Sequence, residues 1–159
     1  MKRLSNLLAA LVFASLVIFM SCGGGGSDPA PTPSELAAED LVGSWSVNAA
    51  SITYDNGNPD GTWTNFNLSF TGSASGGSFT TTGTPTEGDF SAVWPASGTW
   101  SFVTAGNAPD GAITGIDRGD LVMDVNVSAT SLTLSFTVPA QPARTSGIAG
   151  EWTFSFSAQ

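Results

Sequence analysis

The chain has 159 residues, thirteen of them acidic and four basic, with no histidine and a single cysteine, and a net charge of −9. That length fits one domain of ordinary size, and without histidine no Ser-His-Asp triad can be built. Past residue 3 there is no lysine and only two arginines, Arg118 and Arg144, so Schiff-base chemistry is excluded and nucleic acid or anionic headgroups, which need a basic surface, are poor partners.

The chain opens with Lys2 and Arg3, then runs from Leu7 to Met20 with Ser15 as its one polar residue. Fourteen residues are short for a span of a bilayer core, which takes about 20. A basic start, an apolar stretch of this length and a small residue at its end make a secretory signal, assigned to residues 1–21. Cys22 comes next and has no partner cysteine for a disulfide. Phe19-Met-Ser-Cys22 resembles the lipobox of bacterial lipoproteins, although Phe19 and Met20 depart from the usual residues. The resemblance implies lipidation of Cys22 after cleavage before it, and a membrane partner reached through the lipid anchor. The expected location is the bacterial envelope, anchored at the outer membrane. A plain cleaved signal is the alternative.

Residues 22–39 read as a tether, because Gly23 to Gly26 are flexible and Pro29, Pro31 and Pro33 stiffen the remainder of the segment. A short helical turn is expected from Ser34 to Asp40, at the end of this tether.

From Asp40 onward the pattern is that of strands. Ser131 to Val138 alternates strictly, with Leu132, Leu134, Phe136 and Val138 on one face. Glu151 to Ser157 repeats this with Trp152, Phe154 and Phe156, and Asp120 to Val127 with Leu121, Met123, Val125 and Val127. Asp124, Thr133 and Ser155 are expected on the outer face. Less regular candidates are 43–54, 62–70, 77–82, 89–94, 98–103 and 111–116, separated by Gly/Asp/Asn/Ser turn clusters. The fold class is therefore all-β. An antiparallel up-and-down barrel of eight to nine strands over residues 40–158 is preferred to a β-sandwich, because closure removes the edges that invite aggregation.

Gly-x-Trp followed by Ser or Thr occurs four times, at Gly43, Gly61, Gly98 and Gly150, with spacings too uneven for a solenoid. Each glycine is read as ending a turn and each tryptophan as opening a strand. Trp63 conflicts in parity with Phe66, Leu68 and Phe70, which a bulge would resolve. The interior residues, lining a ligand space or filling a core, are expected to be Trp100, Phe102, Met123, Phe136, Trp152, Phe154 and Phe156.

Leu41-Val-Gly43-Ser-Trp45 resembles the first-strand signature of lipocalins and the wider calycin superfamily, and the domain is similar to small lipocalin-like lipoproteins of Bacteroidetes-type bacteria. The resemblance implies a barrel closed at one end by Gly43 and Trp45 that carries a small apolar molecule. The arginine that the family packs across that tryptophan has only Arg144 as a counterpart, and the family's helix after the barrel is missing. The alternative is a structural or adhesive domain, with a sugar-binding surface as one form of it, whose eight mature-chain phenylalanines and five tryptophans fill the core. No enzyme activity, cofactor or metal is expected, and nothing in the sequence points to a protein partner. Asn56 to Gly61 is half of a calcium-loop pattern without the closing glutamate, and reads as a hairpin loop. Arg118-Gly-Asp120 spells an adhesion tripeptide but reads as a tight turn between strands.

Overall fold

The computed structural model describes residues 29–55, 63–86, 90–108, 110–140 and 148–159. Cys22, Gly61 and Arg144 lie outside them, as does the 56–61 loop pattern. The chain divides into a unit of residues 1–30 and a second from Pro31 to Gln159.

The second unit begins with helix α1 (Pro33–Leu41), whose start has a complete set of local signals. Thr32 caps it, Pro33 occupies the first turn, and Glu35 closes a capping box by accepting from the Thr32 backbone N–H at 2.7 Å. Ser34, Ala38 and Leu41, spaced to fall on one face, are the buried residues. The helix packs against the barrel, so the packed unit starts earlier than residue 40.

Eight strands come after it: β1 (Gly43–Tyr54), β2 (Asn67–Ser73), β3 (Gly76–Thr82), β4 (Ser97–Thr104), β5 (Ile113–Asp117), β6 (Val122–Ser128), β7 (Ser131–Val138) and β8 (Gly150–Ala158). Each pairs antiparallel with the next, and β8 pairs back with β1 to close the barrel. The expected barrel is correct in class and topology, and the sandwich is not formed. The ninth candidate, 89–94, forms no strand over its described residues, 90–94. Phe90–Ala92 is a single 3-10 turn, and the Val93 and Trp94 N–H groups both donate to Phe90 O instead of to a ladder. The physical reason is that Phe90, Val93 and Trp94 are spaced as on a helix, and Pro95 then stops the segment.

Trp63 is not in β2 either. It sits in the turn before it, fully buried, where strand parity does not apply. β1 does contain a parity switch that the sequence pattern hides. Its register against β8 shifts between Val47 and Ile52, so Trp45 and Val47 face inward before the shift and Ile52 after it. Among the predicted interior residues, Met123, Phe136, Trp100, Trp152, Phe154 and Phe156 are buried, while Phe102 is half-buried against the core, as are Leu121, Val125 and Val127. Asp124 is exposed as expected; Thr133 and Ser155 are half-buried rather than open.

The barrel's two ends differ. The helix end carries α1, the tight turns joining β2 to β3 and β6 to β7, and the β4–β5 connection. The loop end carries the connections 55–66, 83–96, 118–121 and 139–149.

Candidate functional site

The helix end is sealed by ordinary means. Leu41, the last residue of α1, is fully buried, and the Trp45 indole N–H donates to Leu41 O at 2.9 Å, tying the first strand to the helix that precedes it. Trp45 is buried at this end, while Gly43 is exposed and borders a surface cleft.

The loop end is where the interior is unusual. Trp94 enters the lumen from the 83–96 connection, and its ring centroid lies 5.9 Å from Phe79 on β3 and 5.7 Å from Phe136 on β7. In a closed ring of eight strands β3 and β7 stand opposite one another, so a single indole bridges the lumen. Both contacts are near-perpendicular, the edge-to-face geometry that aromatic quadrupoles favour. Phe154, on β8, is the hub beneath: it packs against Trp63, Phe66, Trp94, Phe136, Trp152 and Phe156.

All five tryptophans are buried, but their N–H groups fare differently. Trp45 donates to Leu41 O, Trp100 to Thr71 O and Ser78 O at 3.1 and 3.2 Å, and Trp152 to Ile148 O at 2.8 Å. The Trp63 and Trp94 N–H groups are buried with no acceptor. Buried donors are nearly always paired, so two orphans in one aromatic cluster require a reason.

Arg118 holds the Trp94 segment in place. Its guanidinium lies 5.1 Å from the Trp94 ring centroid and 5.8 Å from that of Phe136, a cation–π arrangement on both rings. Nη1 donates to Val93 O at 2.7 Å, while Nε and Nη2 donate to the two carboxylate oxygens of Asp120 at 2.8 and 2.9 Å. That bidentate bond from Arg118 holds the Asp120 carboxyl below the usual aspartate range, although Asp120 itself is largely solvent-facing. The tight turn expected at 117–120 is present, with Gly119 N donating to Asp117 Oδ1. With only 1% of its side chain exposed, Arg118 is unavailable to an adhesion receptor. Nor does any tryptophan present an open face on which a sugar ring could stack.

The ladder is incomplete around this segment. β5 ends at Asp117 opposite Ser101, so the loop-end half of β4, Ser97 to Trp100, pairs with β3 alone. Likewise β1 pairs with β2 only from Gly43 to Ser46. Two clefts flank the Trp94 segment: one of about 430 Å3 lined by Thr81 to Thr86, Ser91, Trp94 and Ala96, another of about 250 Å3 beside Arg118, Asp120 and Val138. Ser91 borders both.

Sequence reasoning misses both central residues. The apolar pattern puts Trp94 in a strand, and Arg118 reads only as part of a turn; its one signal is scarcity, as one of two basic residues past residue 3. Among the described residues no cluster of three His, Cys, Asp or Glu is placed to hold a metal ion, and no helix is long and apolar enough to cross a membrane. No family model, curated protein or solved structure matches the chain.

Proposed function

We propose that this chain is a non-catalytic lipoprotein of a bacterial envelope, anchored at the outer membrane through Cys22, whose lipocalin-like barrel binds a small, largely apolar molecule at its loop end. The observation that carries the binding reading is the contrast among the indoles. Three are hydrogen-bonded, and the two left buried without acceptors both sit under the loops. A core serving packing alone gains nothing from an indole N–H that a phenyl ring would avoid. The closed barrel, the short helix before it and a Trp45 buried at the start of the first strand support the lipocalin resemblance. Against it, Arg118 packs on Trp94 rather than on Trp45.

The second reading is a structural or adhesive domain with a filled core, and it too has a specific observation behind it: Trp94 already bridges the lumen from Phe79 to Phe136. Titration of the full chain in lipid nanodiscs with medium-chain apolar probes separates the two. Saturable binding with a negative heat-capacity change supports the first. No binding of any probe supports the second.

A further inference from the structure

We propose that the cleft between α1 and strands β5 and β6 is a second binding site, which takes an amphipathic cation, a primary ammonium group on a short alkyl chain. The ammonium meets Asp40, and the chain lies on Ile113, Val125 and Val127. This site is separate from the loop-end one and uses neither Trp63 nor Trp94, so each stands or falls without the other.

The apolar half of the site follows from where cover is missing. Val125 and Val127 alternate with the buried Met123 and so share its inward face on β6. Across the ladder Val127 stands opposite Leu132, which pairs with Phe156, and Val125 stands opposite Leu134, which pairs with Phe154. Those four residues on β7 and β8 are at most 3% exposed, whereas both valines are only half-buried. α1 packs against β2, β5 and β6, yet beside the last two it leaves a cleft of about 340 Å3 lined by Ala37, Asp40, Ile113, Val125, Asn126 and Val127. That volume falls within the range of small-molecule clefts, roughly 300–1,000 Å3.

The charge of the ligand follows from what surrounds Asp40. This residue is half-buried on the cleft wall, in the last turn of α1, where the carbonyl ends of the helix make its negative pole. Glu39 adds a second carboxylate to that turn, and no basic residue stands in it. Past residue 3 the chain's cations are Arg118, already bound to Asp120, and Arg144, which lies outside the described residues. Among the described residues Asp40 forms no ion pair. A cation arriving from solvent therefore gains the carboxylate and the helix pole together, while an anion is repelled by both. The carboxylates alone would draw any counter-ion; the valines select one with an apolar body. A bare metal ion fits poorly, since among the described residues no group of three His, Cys, Asp or Glu is placed to hold one.

The test titrates hexylammonium, methylammonium, hexanol and hexanoate into the full chain in zwitterionic lipid nanodiscs, with empty nanodiscs as the blank and backbone amide resonances as the reporter. Hexylammonium is expected to bind at least about tenfold more tightly than methylammonium, because each buried methylene adds about fourfold. It should exceed hexanol by about threefold to fivefold, the contribution of one partly exposed ion pair, with hexanoate the weakest six-carbon probe. The shifts should gather on Ala37, Asp40 and Val125 to Val127 and leave the Trp94 indole still. Asp40→Asn, which eases the helix pole and so keeps the fold, should bring hexylammonium down to the level of hexanol. Glu39→Gln, outside this cleft, should change it less. Equal affinity for methylammonium and hexylammonium overturns the apolar half of the site. Hexylammonium no tighter than hexanol, unchanged in Asp40→Asn, or weakened equally by Glu39→Gln overturns the placing of a cation at Asp40. Shifts confined to other residues, or no binding by any six-carbon probe, overturn the site itself, and none of these outcomes touches the loop-end proposal.

Discussion

The unpaired indoles are open to a direct thermodynamic test in the empty protein. Trp63 and Trp152 are both fully buried and touch one another, with ring centroids 6.0 Å apart, so they share an environment. They differ in that Trp152 Nε1 donates to Ile148 O and Trp63 Nε1 donates to nothing. Replacing either by phenylalanine removes two buried ring carbons, worth about 1.5 kcal/mol at ~0.8 kcal/mol per carbon. At Trp152 the change also strands the Ile148 carbonyl, a further ~1–3 kcal/mol. At Trp63 it removes an unsatisfied donor and recovers a similar ~1–3 kcal/mol. Trp152→Phe should therefore destabilise by about 2.5–4.5 kcal/mol. Trp63→Phe should fall between a loss of about 0.5 and a gain of about 1.5 kcal/mol.

The assay is urea unfolding followed by far-ultraviolet circular dichroism, which does not depend on the fluorophores being changed. The slope against urea should be the same in both variants, so that midpoints compare directly. Equal destabilisation at the two positions would refute the reasoning. It would mean that the Trp63 N–H finds an acceptor in solution and is not a spare donor.

Four other outcomes are expected of the same structure. Gly98→Ala would place a Cβ 2.7 Å from two ring carbons of Phe79, which in turn packs on Trp94, and overpacking of this kind should cost about 1–3 kcal/mol in a thermal melt. Because Arg118 holds the Asp120 pKa below its unfolded value, Asp120 contributes stability above roughly pH 4 that is lost as the pH falls through its folded pKa; Asp120→Asn should thus be less stable than wild type at neutral pH, with the gap closing in acid urea melts. Thr32→Ala removes the cap of α1 and should cost about 0.5–2 kcal/mol by the same measurement. Cys22→Ala, expressed in a bacterial host, should lose palmitate label and detergent partitioning, and retained label would end the lipoprotein proposal.

Strand positions are legible in the sequence where one face is apolar over a whole strand. β7 and β8 match their alternation almost residue for residue, because their pairing puts Leu132 against Phe156, Leu134 against Phe154 and Phe136 against Trp152, all inward. Helix α1 is anticipated only as a short turn from Ser34 to Asp40, because Pro33, which opens the helix, reads as one more stiffening proline of the tether. β1 is recognisable as a strand, yet its inward faces are not readable throughout, since a register shift leaves the two halves with opposite parity. The site is hidden for a different reason. Trp94 is apolar and expected inside, but that it bridges β3 and β7 depends on the lengths of two loops and not on any local pattern. Arg118 reaches Val93, a residue 25 positions away, and no charge pattern announces a carbonyl partner. An orphaned indole N–H is by nature invisible in sequence, because it is defined by what surrounds it.

The distribution of exceptions along the barrel is itself informative. At the helix end local preference and packing agree: the cap is complete, Trp45 is paired, the turns are tight and Leu41 is sealed. At the loop end several rules fail together. Two donors are buried unpaired and an arginine is buried on aromatic rings. Sequences that specify one structure tend to satisfy every level at once and to depart from that at functional positions. A filled scaffold would have no cause to gather its departures at one mouth. Under the binding proposal, the helix end with its paired Trp45 serves to hold the barrel together, and the loop end with its unpaired donors is where a ligand would be met.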